Sequence, residues 1–175
     1  MKAKEIIEHG RFLGEEFLLW LWMQGINNGG RSGIEGDHSA CFIDDDLQLA
    51  SEWGDVKELS LRKGNPQESR EAFEALSRGM RPTQAKVRIL SGDLEWVFVL
   101  GACHLAVSAL KLPPSQSKDL LGRISDRLFL IEECMSHLER RFGVFLNQRL
   151  GEPEALLEEM KAWINDCIGN SKSDD

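Results

Sequence analysis

The spacing of apolar residues changes period twice along the chain. Between Lys4 and Gln24, Ile6, Gly10, Leu13, Phe17, Trp20 and Leu21 recur at three- and four-residue steps, which predicts a helix over residues 1–24 with one apolar stripe. Trp20 and Trp22 straddle that stripe. A helix cannot point both at the same neighbour, so either both belong to an ordinary core or one meets another subunit or a ligand. Residues 25–38 then hold five glycines with Asn27, Asn28 and Ser32, the composition of a loop. It is no phosphate cradle, because Gly29-Gly30-Arg31-Ser32-Gly33 lacks the Gly-Lys-Ser/Thr end of a Walker loop.

From residue 40 to 112 the period is two. Cys41 to Ile43 and Leu47 to Ala50 read as short strands joined by Asp44, Asp45 and Asp46, a turn-forming trio that could otherwise ligate a divalent cation. In Val56 to Arg62, Leu59 and Leu61 alternate with Ser60 and Arg62. Asn65, Pro66 and Glu68 supply a cap, a first-position proline and a capping-box carboxylate, predicting a short helix over 66–78 with Phe73 and Leu76 inward and Gly79 at its end. Strands resume at Ala85 to Leu90, turn at Gly92 and Asp93, return along Leu94 to Leu100, and finish with His104 to Leu112 before Pro113 and Pro114. The period then becomes helical again. Leu121, Ile124, Leu128, Ile131, Met135, Leu138, Phe142 and Phe145 form a heptad-like seam, and after Gly151 and Pro153 a second stripe runs through Leu156, Met160, Trp163, Ile164 and Cys167. Such a pair docks antiparallel on the sheet or exchanges between two chains.

These elements predict one α+β domain over residues 1–168: an antiparallel β-sheet across 40–112 with the inserted helix 66–78, flanked by the N-terminal helix and an antiparallel helical pair over 115–168. The polar tail 169–175 is expected to be disordered. With 175 residues and 42% hydrophobic content, one well-buried core is within reach. The longest apolar run, Phe17 to Met23, falls far short of the roughly 20 residues that span a bilayer. No secretory leader pattern is visible, so a cytoplasmic protein that does not engage a membrane is expected.

Charge is unevenly placed. The chain carries 21 basic and 29 acidic residues, yet Lys57 to Lys111 holds nine basic against six acidic, leaving 12 against 23 elsewhere. If Leu59, Leu61, Val87, Ile89, Leu110 and Leu112 face the core, alternation sends Arg62, Lys86, Arg88 and Lys111 to the opposite face, with Lys63, Arg78 and Arg81 at adjoining ends. Such a row either neutralises phosphates without reading bases or is an ordinary solvated surface.

Catalytic chemistry finds less support. There is no Gly-x-Ser-x-Gly elbow and no Cys/His pair with a family signature, so no enzyme and no cofactor are expected. Cys103 and His104 would point to opposite faces of a strand. The four cysteines lack the dense spacing of a disulfide scaffold and read as reduced, mostly buried thiols. His38 and Cys41 form an H-x-x-C pair and Cys134 and His137 a C-x-x-H pair, which make a zinc site only if the fold brings them together.

The central region resembles the recombination-associated protein RdgC family. The resemblance rests on the order of its parts: Leu59-Ser60-Leu61-Arg62-Lys63, a short acidic helix, Ser77 to Val87, a strand pair, and Ala109-Leu110-Lys111-Leu112. The block Phe12 to Trp22 also looks like one in shorter relatives, while Met80 and Pro82 depart from the family's usual Lys and Val. The resemblance implies a non-catalytic, nucleoid-associated protein that binds double-stranded DNA with little sequence preference, forms a homodimer and restrains the RecA recombinase. Charge pattern and resemblance together single out Arg62, Lys63, Arg81, Lys86, Arg88 and Lys111 as phosphate contacts. Two other readings stay open: an oligomerisation module built on the Trp-bearing helix and the seam, and a metal-dependent enzyme using Asp44 to Asp46 or the His/Cys pairs.

Overall fold

Alternation along the middle of the chain becomes a sheet with two unlike faces. The computed structural model describes residues 3–31, 33–51, 58–66 and 69–170. In chain order these form α1 (Ala3–Asn27), β1 (Ala40–Ala50), β2 (Glu58–Arg62), α2 (Arg70–Ser77), β3 (Arg81–Ser91), β4 (Leu94–Gly101), β5 (Ala106–Lys111), α3 (Leu120–Gly151) and α4 (Pro153–Asn170). The strands make one open antiparallel sheet in the order β2-β1-β3-β4-β5. With helices at both ends of the chain, this is the α+β architecture that the pattern predicts. Among the described residues no helix is long and apolar enough to cross a membrane.

One face of the sheet is the floor of the core. Cys41, Ile43, Leu47 and Leu49 of β1, Ala85, Val87 and Ile89 of β3, and Trp96, Phe98 and Leu100 of β4 are all buried on it. Helix α1 lies across β1 and β3. Its two central tryptophans enter the same core from different sides. Trp20 meets Phe145 of α3 at 6.0 Å and donates its Nε1 hydrogen to Gln148 Oε1 at 2.8 Å. Trp22 stacks on Phe73 of α2 and meets Trp163 of α4 edge-on, with ring centroids 5.1 and 5.6 Å away. The straddling pair thus joins three helices, each fully buried aromatic contributing a few kcal/mol of apolar burial. Trp96 donates to the Leu130 carbonyl at 2.9 Å and pins the middle of α3 over the sheet.

Several boundaries differ from the pattern, each for a local reason. The two strands expected around the Asp trio are a single strand, because β1 carries an irregularity there. Ile43 pairs with Val87 and Leu47 with Ala85, so β1 spends four residues where β3 spends two, and both Ile43 and Leu47 still face the core. The expected helix 66–78 begins later. Ser69 caps it, accepting from Ala72 N at 3.3 Å, because it stands next to the apolar run Ala72, Phe73, Ala75 and Leu76; Pro66 lies in a preceding turn. Gly79 follows with φ of 89°, as its place after the helix predicts. Cys103 to Leu105 form a 3₁₀ turn, so the last strand starts at Ala106 and not at His104. The N-terminal helix runs to Asn27, shortening the loop expected at 25–38. Gly169 and Asn170 belong to α4, so the expected disorder does not begin at 169. Residues 171–175, Gln67, Glu68, and Val56 and Lys57 of the expected strand lie outside the described residues.

Candidate nucleic-acid interface

The second face of the sheet is not covered by the helices, and the four cations expected to share it do so. Phe42, Arg88, Val97 and Lys111 are aligned across β1, β3, β4 and β5, while Lys86 pairs with Val99 and Arg62 with Asp46. Lys111 reaches this face through a bulge: the register slips between Val97 and Val99, where Ala109 has φ of 50°.

Sharing a face does not make a free cationic row. The irregularity in β1 turns Asp44 and Asp45 onto the same surface. Lys86 Nζ lies 2.6 Å from Asp45 and 3.2 Å from Asp44, and Arg88 bonds Asp44 at 3.1 Å and Glu95 at 2.7 Å. The Lys86 hydrogen bond holds the Asp45 carboxyl below its ordinary range, and the same bond to Asp45 raises the lysine. The Asp trio is therefore neither a turn nor a cation site; two of its members neutralise the centre of the face. Arg81 faces elsewhere, 3.8 Å from the buried Glu15 of α1. Of the six expected phosphate contacts, Arg62, Lys63 and Lys111 carry no acidic partner among the described residues. Arg62 and Lys63 border a cleft of about 390 Å³ that Asp45, Asp46 and Lys86 also line.

A second cleft, of about 570 Å³, is more uniformly charged. Lys111 meets Arg123 and Arg127 of α3 there, above Leu112, Leu120 and Ile124, and no carboxylate lines it. Local chemistry explains the imbalance. Pro113 and Pro114 end β5, and the linker then folds around Asp126, whose Oδ2 accepts from Ser115 Oγ at 2.6 Å and from the Gln116 and Ser117 amides at 3.1 and 3.0 Å. The Ser115 hydroxyl, followed by the Ser117 amide, keeps the Asp126 carboxyl below its usual range. Asp119 is engaged as the cap of α3, accepting from Gly122 N at 2.8 Å. The two acids nearest the arginines are thus occupied in shaping the linker, and the three cations face an open cleft. Arg123 and Arg127, one turn apart, are absent from the expected contacts. Their signal was present as an i, i+4 basic pair, but the seam through Ile124 and Leu128 drew the reading toward packing alone.

The His/Cys pairs meet only in part. Cys41 and Cys134 are both buried and close enough for the charge of one to act on the other; burial pushes their thiols up to about 11 and about 12. His38 is exposed, and among the described residues no group of three or more His, Cys, Asp or Glu side chains is arranged to hold a metal. Cys103 and His104 are both exposed on the 3₁₀ turn. His137 is buried with its ring 5.6 Å from Trp96 and its Nδ1 3.3 Å from Arg140 Nη2. Burial first, then the Arg140 charge, lowers its pKa below the ordinary 6.5. At pH 7 and above both folded and unfolded chains carry it neutral, whereas below about 6.5 the unfolded chain takes up the proton first. Stability measured in urea is therefore expected to fall from pH 6.5 to 5, and His137→Gln to flatten that slope; an unchanged slope would assign the loss to other groups.

No protein-family model matches the chain, and no curated protein matches it significantly.

Proposed function

We propose that this protein is a non-catalytic module that binds double-stranded DNA without sequence preference, linked to recombination as the RdgC resemblance implies. The observation that carries the reading is the acid-free cleft of Lys111, Arg123 and Arg127 on an otherwise acidic protein. Three unopposed cations around one concavity suit a phosphate backbone, and nothing in that lining is arranged to read a base edge. Arg62 and Lys63, at the opposite edge of the sheet, add a second cationic end, whereas Lys86 and Arg88 contribute little because their charges are already met. Occupying duplex DNA in this way would restrain RecA by competition for the same substrate.

Fluorescence anisotropy on a 20-base-pair duplex, at low and moderate salt, tests the proposal. Binding at low salt should weaken steeply as salt rises. The double change Arg123→Glu and Arg127→Glu should reduce affinity by about 100-fold, at roughly 1 kcal/mol for each lost or reversed phosphate contact. Lys86→Ala should change it little. Absence of binding at low salt, or indifference to the arginine reversals, would sink the reading.

One observation favours a second reading, that of an assembly module without DNA binding: the first turns of α3 leave large apolar side chains uncovered. It predicts a stable oligomer whose mass does not depend on added duplex.

A further inference from the structure

We infer that the first turns of α3 form an arm that pairs antiparallel with the same arm of a second copy of this chain. Residues 120–129 contain no buried side chain; burial on α3 begins at Leu130. This is a projecting helix of about 15 Å. Leu120, Leu121, Ile124, Leu128 and Ile131 lie along one side of it and are between 37 and 78% exposed. A ten-residue helix is marginal in water without packing, and this one presents apolar surface to solvent. Further along, the same seam is satisfied within the chain, where Phe142 and Phe145 pack on Phe17 at 5.0 and 5.4 Å. The arm is the part of the seam that its own chain leaves open.

The spacing identifies the occupant. Leu121, Ile124, Leu128 and Ile131 are separated by three, four and three residues, a pattern that reads the same in reverse. A two-fold axis beside Asp126 therefore sets Leu121 of one copy against Ile131 of the other, and Ile124 against Leu128, so one patch is its own complement. The area is also right. Taking ~200 Å² for a whole large apolar residue, the five side chains expose on the order of 600 Å², most of the ~800 Å² that each partner of a standard interface buries. A two-fold axis perpendicular to the helices keeps each flank on its own side, so Arg127 of the two copies comes to the same edge and both cationic clefts open there. Association should consequently tighten as salt screens these arginines, the reverse of phosphate binding.

The docking goes beyond the DNA-binding reading and is tested without DNA. Sedimentation of the full chain at micromolar to 100 μM concentration should show a dimer that strengthens with salt, and Leu128→Glu, at an exposed position, should weaken it by about 100-fold without changing the melting curve. In a Cys103→Ser background, Ile124→Cys and Leu128→Cys chains should form an intermolecular disulfide when mixed and not when oxidised separately. A monomer at every concentration would overturn the inference, as would a dimer that Leu128→Glu leaves intact or cross-linking of either cysteine variant alone.

Discussion

Arg141→Met is expected to cost about 3–5 kcal/mol of unfolding free energy, the largest single effect anticipated in this fold. Arg141 is 1% exposed, in the middle of α3. Its guanidinium donates to the Ser39 carbonyl and hydroxyl at 2.9 Å, to the His137 carbonyl at 3.2 Å and to the Gly30 carbonyl at 3.4 Å, with Asp37 at 3.6 Å. Ser39 in turn donates from its amide and hydroxyl to Asp37 at 3.0 and 2.6 Å. One cation thus satisfies the loop between α1 and β1 and ties it to a helix a hundred residues away. Methionine keeps most of the apolar stem, so the loss isolates the polar contribution: a buried carboxylate loses its counter-charge and three carbonyls lose a donor. Adding Asp37→Asn should restore part of the stability, because the uncompensated charge is then gone. Urea unfolding measures both changes. A loss below about 1 kcal/mol for Arg141→Met would show that water replaces the guanidinium at little cost.

Gly14→Ala should be the second most damaging change, although local propensity predicts the opposite. Within a helix, alanine is favoured over glycine by about 1 kcal/mol. A Cβ at residue 14, however, would stand 2.0 Å from the Ala102 carbonyl oxygen and 2.8 Å from its carbonyl carbon. That backbone cannot yield easily, since the Ala102 amide donates to the Thr83 carbonyl at 2.8 Å at the end of β4. Helix α1 would have to lift from the sheet, loosening the burial of Phe17, Leu18 and Leu21 nearby. We expect a net loss of about 3 kcal/mol, the upper end of ordinary overpacking. A thermal melt of Gly14→Ala at or above the wild-type midpoint would show that the two backbones do not approach so closely. The position falls within the Phe12 to Trp22 block that resembles RdgC relatives, and close backbone packing gives its glycine a physical purpose.

The outline of the fold was legible because it depends on period. Residues two apart in β3 and β4 share a face whatever lies beyond them, and residues three and four apart in α3 share a stripe. The site was less legible. Three adjacent aspartates resemble a turn to anyone reading locally, and they remain in a strand because Lys86 and Arg88, some forty residues on, meet the charge of Asp44 and Asp45. Those same lysine and arginine side chains point where alternation predicts, yet their availability was decided by partners that alternation does not specify. Lys111 reaches the open face through a bulge at Ala109, which no residue type there announces. Arg123 and Arg127 became a cluster with Lys111 only when the linker wrapped on Asp126.

Taken alone, the order of residues determined the helices, most of the strands, the inward side of the sheet and the excess of positive charge in the central segment, since each follows from neighbours within a few positions along the chain. Tertiary structure decided which of those charges are spent and which are free. An ion pair forms between groups that meet in space, and its strength falls with a separation that sequence distance does not report. It also decided that the heptad seam divides in two, its second half covered by α1 and its first half exposed, because packing, unlike periodicity, requires a partner surface of matching shape.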